Sequence, residues 1–180
     1  MPAVTDRNPY HYIPLADRQR TDAWRVSATN LVFDRVPFLS MAVERLMFAE
    51  RPLLEMEARL VQHEISMVQN EPLLLMECSS LAMLWICGLY EVTRLTKAAR
   101  NPKWASLSDL HRRLSSLRMP IAKHEVKGKP ALSHYPTSVW EAESGKVGWS
   151  IYNPDTDSYE VYTRAQLADE FLFLTAQLNP

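Results

Sequence analysis

Between Leu81 and Tyr90 the chain reads Leu-Ala-Met-Leu-Trp-Ile-Cys-Gly-Leu-Tyr, ten positions without a charged or strongly polar side chain. A helix apolar on every side has to be surrounded. The segment from Leu73 to about Arg100 is therefore expected to be the buried centre of a helical domain. Pro72 suits its first turn and Asn101-Pro102 ends it. Glu77 and Glu91 bracket the apolar run, which is short for a bilayer span, so no membrane helix is expected. Past the run, Glu91 and Arg94 stand three residues apart, on one helix face, where the helix leaves the core.

The rest of the chain arranges itself around that helix. Residues 1–20, with Pro2, Pro9 and Pro14 among Tyr10, His11 and Tyr12, read as an extended arm. Residues 21–129 read as the helical bundle. A short helix is expected within Asp22–Asp34, and a longer one from Val36 with an apolar face of Phe38, Leu39, Met41, Ala42, Val43, Leu46, Met47 and Phe48. Glu44, Arg45, Glu50 and Arg51 are expected to face out. Pro52 predicts a bend, and Asn70-Glu71-Pro72 a reversal that packs this helix antiparallel to the central one. Ser106-Leu107-Ser108-Asp109 offers helix-start chemistry for a fourth helix through Leu110, Leu114 and Leu117 to Pro120.

The composition changes at about Pro130. Three strand-like runs, Ser138–Glu141, Lys146–Tyr152 and Ser158–Tyr162, alternate and are rich in aromatic and β-branched residues. Gly145 and Asn153–Asp157 mark the reversals. Thr163-Arg164-Ala165-Gln166 is a capping box opening a final helix. Residues 130–180 thus read as a three-stranded antiparallel β-meander plus closing helix packed on the bundle. The expected fold is mainly α, one compact unit.

A net charge of −1, from 20 Lys and Arg against 21 Asp and Glu, excludes a simple global electrostatic grip on nucleic acid but leaves room for a basic patch. The N-terminus lacks the apolar core of a signal peptide, so a cytoplasmic location is expected. Cys78 and Cys87, nine residues apart on one helix, point to opposite faces beyond disulfide reach. No phosphate loop, His-Glu-x-x-His or Gly-x-Ser-x-Gly occurs, and no Glu-x-x-His pairs suit a metal site in the bundle. Neither metal nor cofactor is expected. His63, His111 and the loop histidines have no recognisable partner in the sequence.

One arrangement remains. Arg118, five residues, then His124 resembles the arginine–histidine signature of HEPN-domain proteins. The resemblance implies a helical bundle, a homodimer, and metal-independent ribonuclease chemistry in which Arg118 and His124 act together on an RNA phosphodiester. It gives Glu91 and Arg94 a place lining the cleft. The residue types suit the task, since histidine moves a proton near neutrality and arginine clamps phosphate. Lys123, Lys127 and Lys129 would then steer the RNA backbone. Across an unbroken helix, Arg118 and His124 would lie about 120° apart, so their convergence requires Pro120 to bend or restart the chain. The alternative from a different class is a non-catalytic, dimeric helical interaction protein. Its contact surface would be the N-terminal arm and the meander's Trp140, Trp149, Tyr152 and Tyr162.

Overall fold

The computed structural model describes residues 15–32, 36–66, 72–98, 104–123, 125–126, 129–133, 136–141, 145–153 and 156–178. Among the described residues five helices, α1 (Leu15–Asn30), α2 (Leu39–Ser66), α3 (Pro72–Ala98), α4 (Trp104–Lys123) and α5 (Arg164–Ala176), enclose the core. Five strands lie between α4 and α5: β1 (Glu125–Val126), β2 (Lys129–Ser133), β3 (Thr137–Glu141), β4 (Lys146–Asn153) and β5 (Ser158–Thr163). The mainly helical fold with a three-stranded antiparallel meander and closing helix is the one the sequence predicts. Strands β3, β4 and β5 pair in that order, β4 central, with Val139 opposite Gly148 and Trp149 opposite Tyr162.

Sheet and bundle share one core. Along β4 the side chains of Val147, Trp149 and Ile151 are buried, as period-two alternation requires of a strand with one covered face. That face packs on α3, α4 and α5. Gly145 turns β3 into β4 with a φ of +63°, a conformation costly to residues with a Cβ. The capping box forms as expected: Thr163 Oγ1 accepts from the Gln166 amide, and the Gln166 side chain accepts from the Thr163 amide.

Several expectations need correction. Helix α1 begins at Leu15, inside the stretch read as an arm; residues 1–14 lie outside the described residues. Helix α2 runs through Pro52 as one element, and α4 starts at Trp104, ahead of the Ser106 signal. The strands start before residue 130, because β1 and β2 form a small antiparallel pair of their own. From Lys123 to Gly128 only Val126 is apolar, so no alternation marked that pair for a periodicity reading.

The largest correction concerns α3. Ile86, Leu89 and Val92 are fully buried, and Trp85 is nearly so, its indole N–H donating to the Leu46 carbonyl at 3.0 Å. Its outward stripe is not surrounded: Leu73, Met76, Leu81 and Leu84 are 40% to 70% exposed. Apolar composition on all sides signalled surface that has to be covered, but the described helices and strands cover only part of it. By length and composition Leu73–Ala98 is also apolar enough to cross a membrane, and 44% of its most apolar window is buried in this fold.

The split face gives a direct test. Ile86→Lys should unfold the protein, because a buried unpaired charge cannot be accommodated. Leu84→Lys, one half-turn away, should leave the circular dichroism melting curve within a few degrees of wild type. Equal loss in both variants would contradict the two-faced assignment.

Candidate functional site

Two clusters of chemistry-bearing side chains stand out. The first is a buried ion network that ties α1, α2, β4 and α5 together. Along α2 the buried positions recur as Leu39, Val43, Leu46, Glu50, Leu53 and Glu57, so Glu50 and Glu57 fall on the core stripe two turns apart. Arg164, fully buried at the first position of α5, lies between the two carboxylates. Its Nη1 donates to Glu50 at 2.6 Å, while Nε and Nη2 donate to Glu57 at 3.0 and 2.7 Å. A cation at a helix N-terminus meets the unfavourable end of the dipole. Two ionised carboxylates at hydrogen-bond distance offset that.

Glu50 accepts further bonds from Arg20 Nε and Nη2, at 2.8 and 2.6 Å, and from the Trp24 indole at 2.6 Å. Arg20 also donates to Asp169 at 2.6 Å, and Lys146 Nζ stands 3.5 Å from Glu57. The Arg164 guanidinium carbon sits 5.7 Å from the centre of the Trp85 ring. Burial by itself would push the Glu50 carboxyl up. The Arg20 hydrogen bonds, the Arg164 and Arg20 charges and the Trp24 donor outweigh it and hold the group below its ordinary 4.5. Burial likewise pulls Arg20 and Arg164 down, and their carboxylate partners more than reverse it, so both stay charged. Burial, then the Glu57 charge, pushes the Cys78 thiol up to about 12, so Cys78 is a packed thiol, not a nucleophile.

Flanking this network, a cleft of about 290 Å³ opens between α1 and α2. Trp24, Met47, Phe48, Leu54 and Ala58 form its apolar walls, and Arg20, Thr21, Glu50, Arg51 and Glu55 its polar ones. Glu50, expected to face out, is instead the buried anchor. A carboxylate on a core stripe was the available signal, because such a group needs a buried cation.

The second cluster is the seam between α3 and α4, where the sequence placed its site. Arg118 is half-buried there, its guanidinium carbon 5.3 Å from the centre of the Tyr90 ring. His111 stacks on Tyr90 at 5.0 Å and meets Trp104 edge-on at 4.9 Å, and Lys97 lies over Trp104. Thr93 Oγ1 donates to the Tyr90 carbonyl, so it accepts from His111 Nδ1, 2.9 Å away. That assigns the Nδ1-protonated tautomer. His111, expected to lack a partner, is thus the middle of a ladder running from Lys97 to Arg118.

Glu91 accepts from Arg94 Nε at 2.5 Å on the same seam, as an exposed pair. Glu91 and Arg118 both act on Cys87, whose thiol burial raises while Arg118 lowers it and Glu91 raises it further. Glu91, Arg94 and Arg118 are therefore brought to one region. Pro120 does not restart the chain, since α4 continues through it to Lys123. His124, Lys127 and the loop histidines His11 and His134 lie outside the described residues; Lys123 is exposed at the end of α4 and Lys129 opens β2. Among the described residues no group of three or more His, Cys, Asp or Glu is placed to hold a metal ion. Of the meander aromatics, Trp149 is fully buried, and Trp140 and Tyr162 pack against the core. They serve the sheet–helix interface more than a contact surface. No family model, curated protein or solved structure matches the chain.

The buried network predicts acid sensitivity. A carboxyl whose folded pKa is depressed contributes stability that is present above its unfolded value, here 4.5, and lost as pH falls through the folded value. Urea unfolding should therefore show stability declining from pH 5 toward pH 2. Glu50→Gln should lower stability at pH 7 by about 3–5 kcal/mol, as for one partner removed from a buried pair. It should also flatten that acid slope, and a variant with an unchanged slope would remove Glu50 from the linkage.

Proposed function

We propose that the protein is a non-catalytic helical interaction protein that assembles as a homodimer through the outward face of the α2–α3 hairpin. One observation carries this reading. The hairpin carries exposed apolar side chains along its length, Leu73, Met76, Leu81 and Leu84 on α3 and, at its opposite end, Phe38 and Met41 on α2, each 40% to 72% exposed. Exposed apolar side chains gathered along one element, rather than scattered singly, mark an interaction surface.

The shape of the face supports a second copy as the occupant. A shallow groove runs between the helices, walled by Leu81, Leu84, Arg45 and Pro52 and floored by Leu46, Trp85, Gly88 and Val92. Gly88 permits the close approach, because a Cβ there would lie 2.8 Å from Leu46. A ridge of leucines beside a groove is self-complementary under a twofold axis, and two stacked hairpins make a four-helix layer. Arg45 and Glu91 line the groove with opposite charges, so an axis parallel to the helices sets the Arg45 of each copy against the Glu91 of the other.

Sedimentation velocity at micromolar concentration should find a dimer. Met76→Lys with Leu84→Lys should give a monomer with an unchanged helical spectrum and melting temperature. A wild-type monomer at 100 μM would end this reading, and wild-type protein that instead floats with lipid vesicles would assign the face to a membrane.

A second reading, a metal-independent RNA-cleaving protein, is favoured by the meeting of Glu91, Arg94 and Arg118 on the α3–α4 seam. It expects single-stranded RNA to be cut in the presence of chelator, and Arg118→Ala or His124→Ala to abolish cutting without changing the melting temperature. The interaction reading expects no cleavage at all. It further expects Arg118→Ala to cost about 0.5–2 kcal/mol, the worth of a cation held on an aromatic ring.

A further inference from the structure

We propose that the cleft between α1 and α2 binds a carboxylate with an apolar tail, an aliphatic or arylaliphatic acid of about ten carbons. At about 290 Å³ the cleft lies at the lower end of the range for small-molecule sites, near 300 Å³. Its apolar walls, Met47, Phe48, Leu54, Ala58 and Trp24, would hold the tail.

The choice of an acid over an amine follows from which charges at the cleft are already committed. Glu50 is buried and accepts four hydrogen bonds, from Arg20 twice, Trp24 and Arg164. It has nothing left to offer a cation. The two arginines of the cleft are differently placed. Arg20 is held on its Nε side by Glu50, while its Nη1 partner Asp169 is 63% exposed. Arg51 faces Glu55 at 3.5 Å, both side chains being more than half exposed. Exposed pairs of that kind contribute little, and a ligand carboxylate can replace such a partner at small cost. The cleft therefore presents Arg51, whose exposed partner Glu55 is displaceable, the Nη1 edge of Arg20, whose exposed partner Asp169 is displaceable while Glu50 holds its other edge, and a threonine hydroxyl from Thr21. A carboxylate takes charge-assisted bonds from Arg20 and Arg51 while its tail covers Phe48 and Leu54.

The site lies on the flank of α2 toward α1, away from the α2–α3 groove, and it does not depend on how the chain assembles. Isothermal titration of the full-length protein with sodium decanoate, below its micellar concentration, tests it against decanol as an uncharged probe of equal length. Decanoate should bind with one-to-one stoichiometry and about tenfold more tightly than decanol, the worth of one charge-assisted contact. Arg51→Gln should weaken decanoate several-fold and leave decanol unchanged, and Ala58→Phe should abolish binding of both by filling the cleft. Decanol binding as tightly as decanoate would overturn the carboxylate specificity. Binding unaffected by Ala58→Phe would place the ligand elsewhere, for instance in the α2–α3 groove, and overturn the site. Both variants change exposed residues, so unchanged melting curves verify that they fold.

Discussion

Arg164 carries a full positive charge into a site with no exposure to water, and the geometry of the protein is arranged to make that tolerable. Burying one ion costs several kcal/mol, and it is recovered only when its hydrogen-bonding directions are met. Glu50 and Glu57 meet them from positions two turns apart on α2, and Arg20 and Lys146 close the outer edges from α1 and β4. Five side chains from four elements therefore have to arrive together. Such a network adds little net stability compared with an apolar core of the same volume. Its effect is on specificity, because any other docking of α5 on α2 would strand a charge in the interior. The closing helix is thus located by electrostatics as much as by Leu167, Phe171 and the other apolar residues it buries.

The same anchor organises the surface. Because Arg20 and Trp24 both reach Glu50, the middle of α1 is drawn against α2, and the cleft flanking that contact inherits Arg51 and the outer edge of Arg20, each facing an exposed acid. The opposite flank of α2 packs on α3, where Gly88 and Leu46 set the spacing and leave a shallow apolar groove. One helix therefore has three uses: a core stripe carrying the acids, an amphipathic cleft toward α1, and an apolar face toward the exterior. The α3–α4 seam is different again. There Arg118, Tyr90, His111, Trp104 and Lys97 are mutually engaged, each ring or cation having a neighbour on it. The cations of that seam are used first to join two helices.

Much of the architecture was legible because it rests on local signals. The helical period of α2, the alternation of the meander and the capping box at Thr163 each act within a few residues, and those elements form where expected, although Phe38, Met41 and Phe48 of the expected α2 face stay exposed. The boundaries were less legible. Pro52 and Pro120 lie inside helices whose surrounding packing outweighs the loss of one backbone donor. The candidate site was legible only in part: Glu91, Arg94 and Arg118 lie in one region, yet Glu50, a buried acid of α2, was expected to face out.

What the chain determined by itself was which segments form helices or strands and which side chains are too apolar to remain in water. Those properties depend on spacing along one segment, and spacing is written in the sequence. Tertiary structure alone decided which apolar faces found a partner. It left Leu84 at the surface while burying Ile86, and it placed Glu50 under Arg20 and Arg164. The physical reason is that a carboxylate on a helix has no intrinsic inside or outside. Its position follows from whether a cation 114 residues further along the chain can reach it, and local periodicity holds no record of that distance.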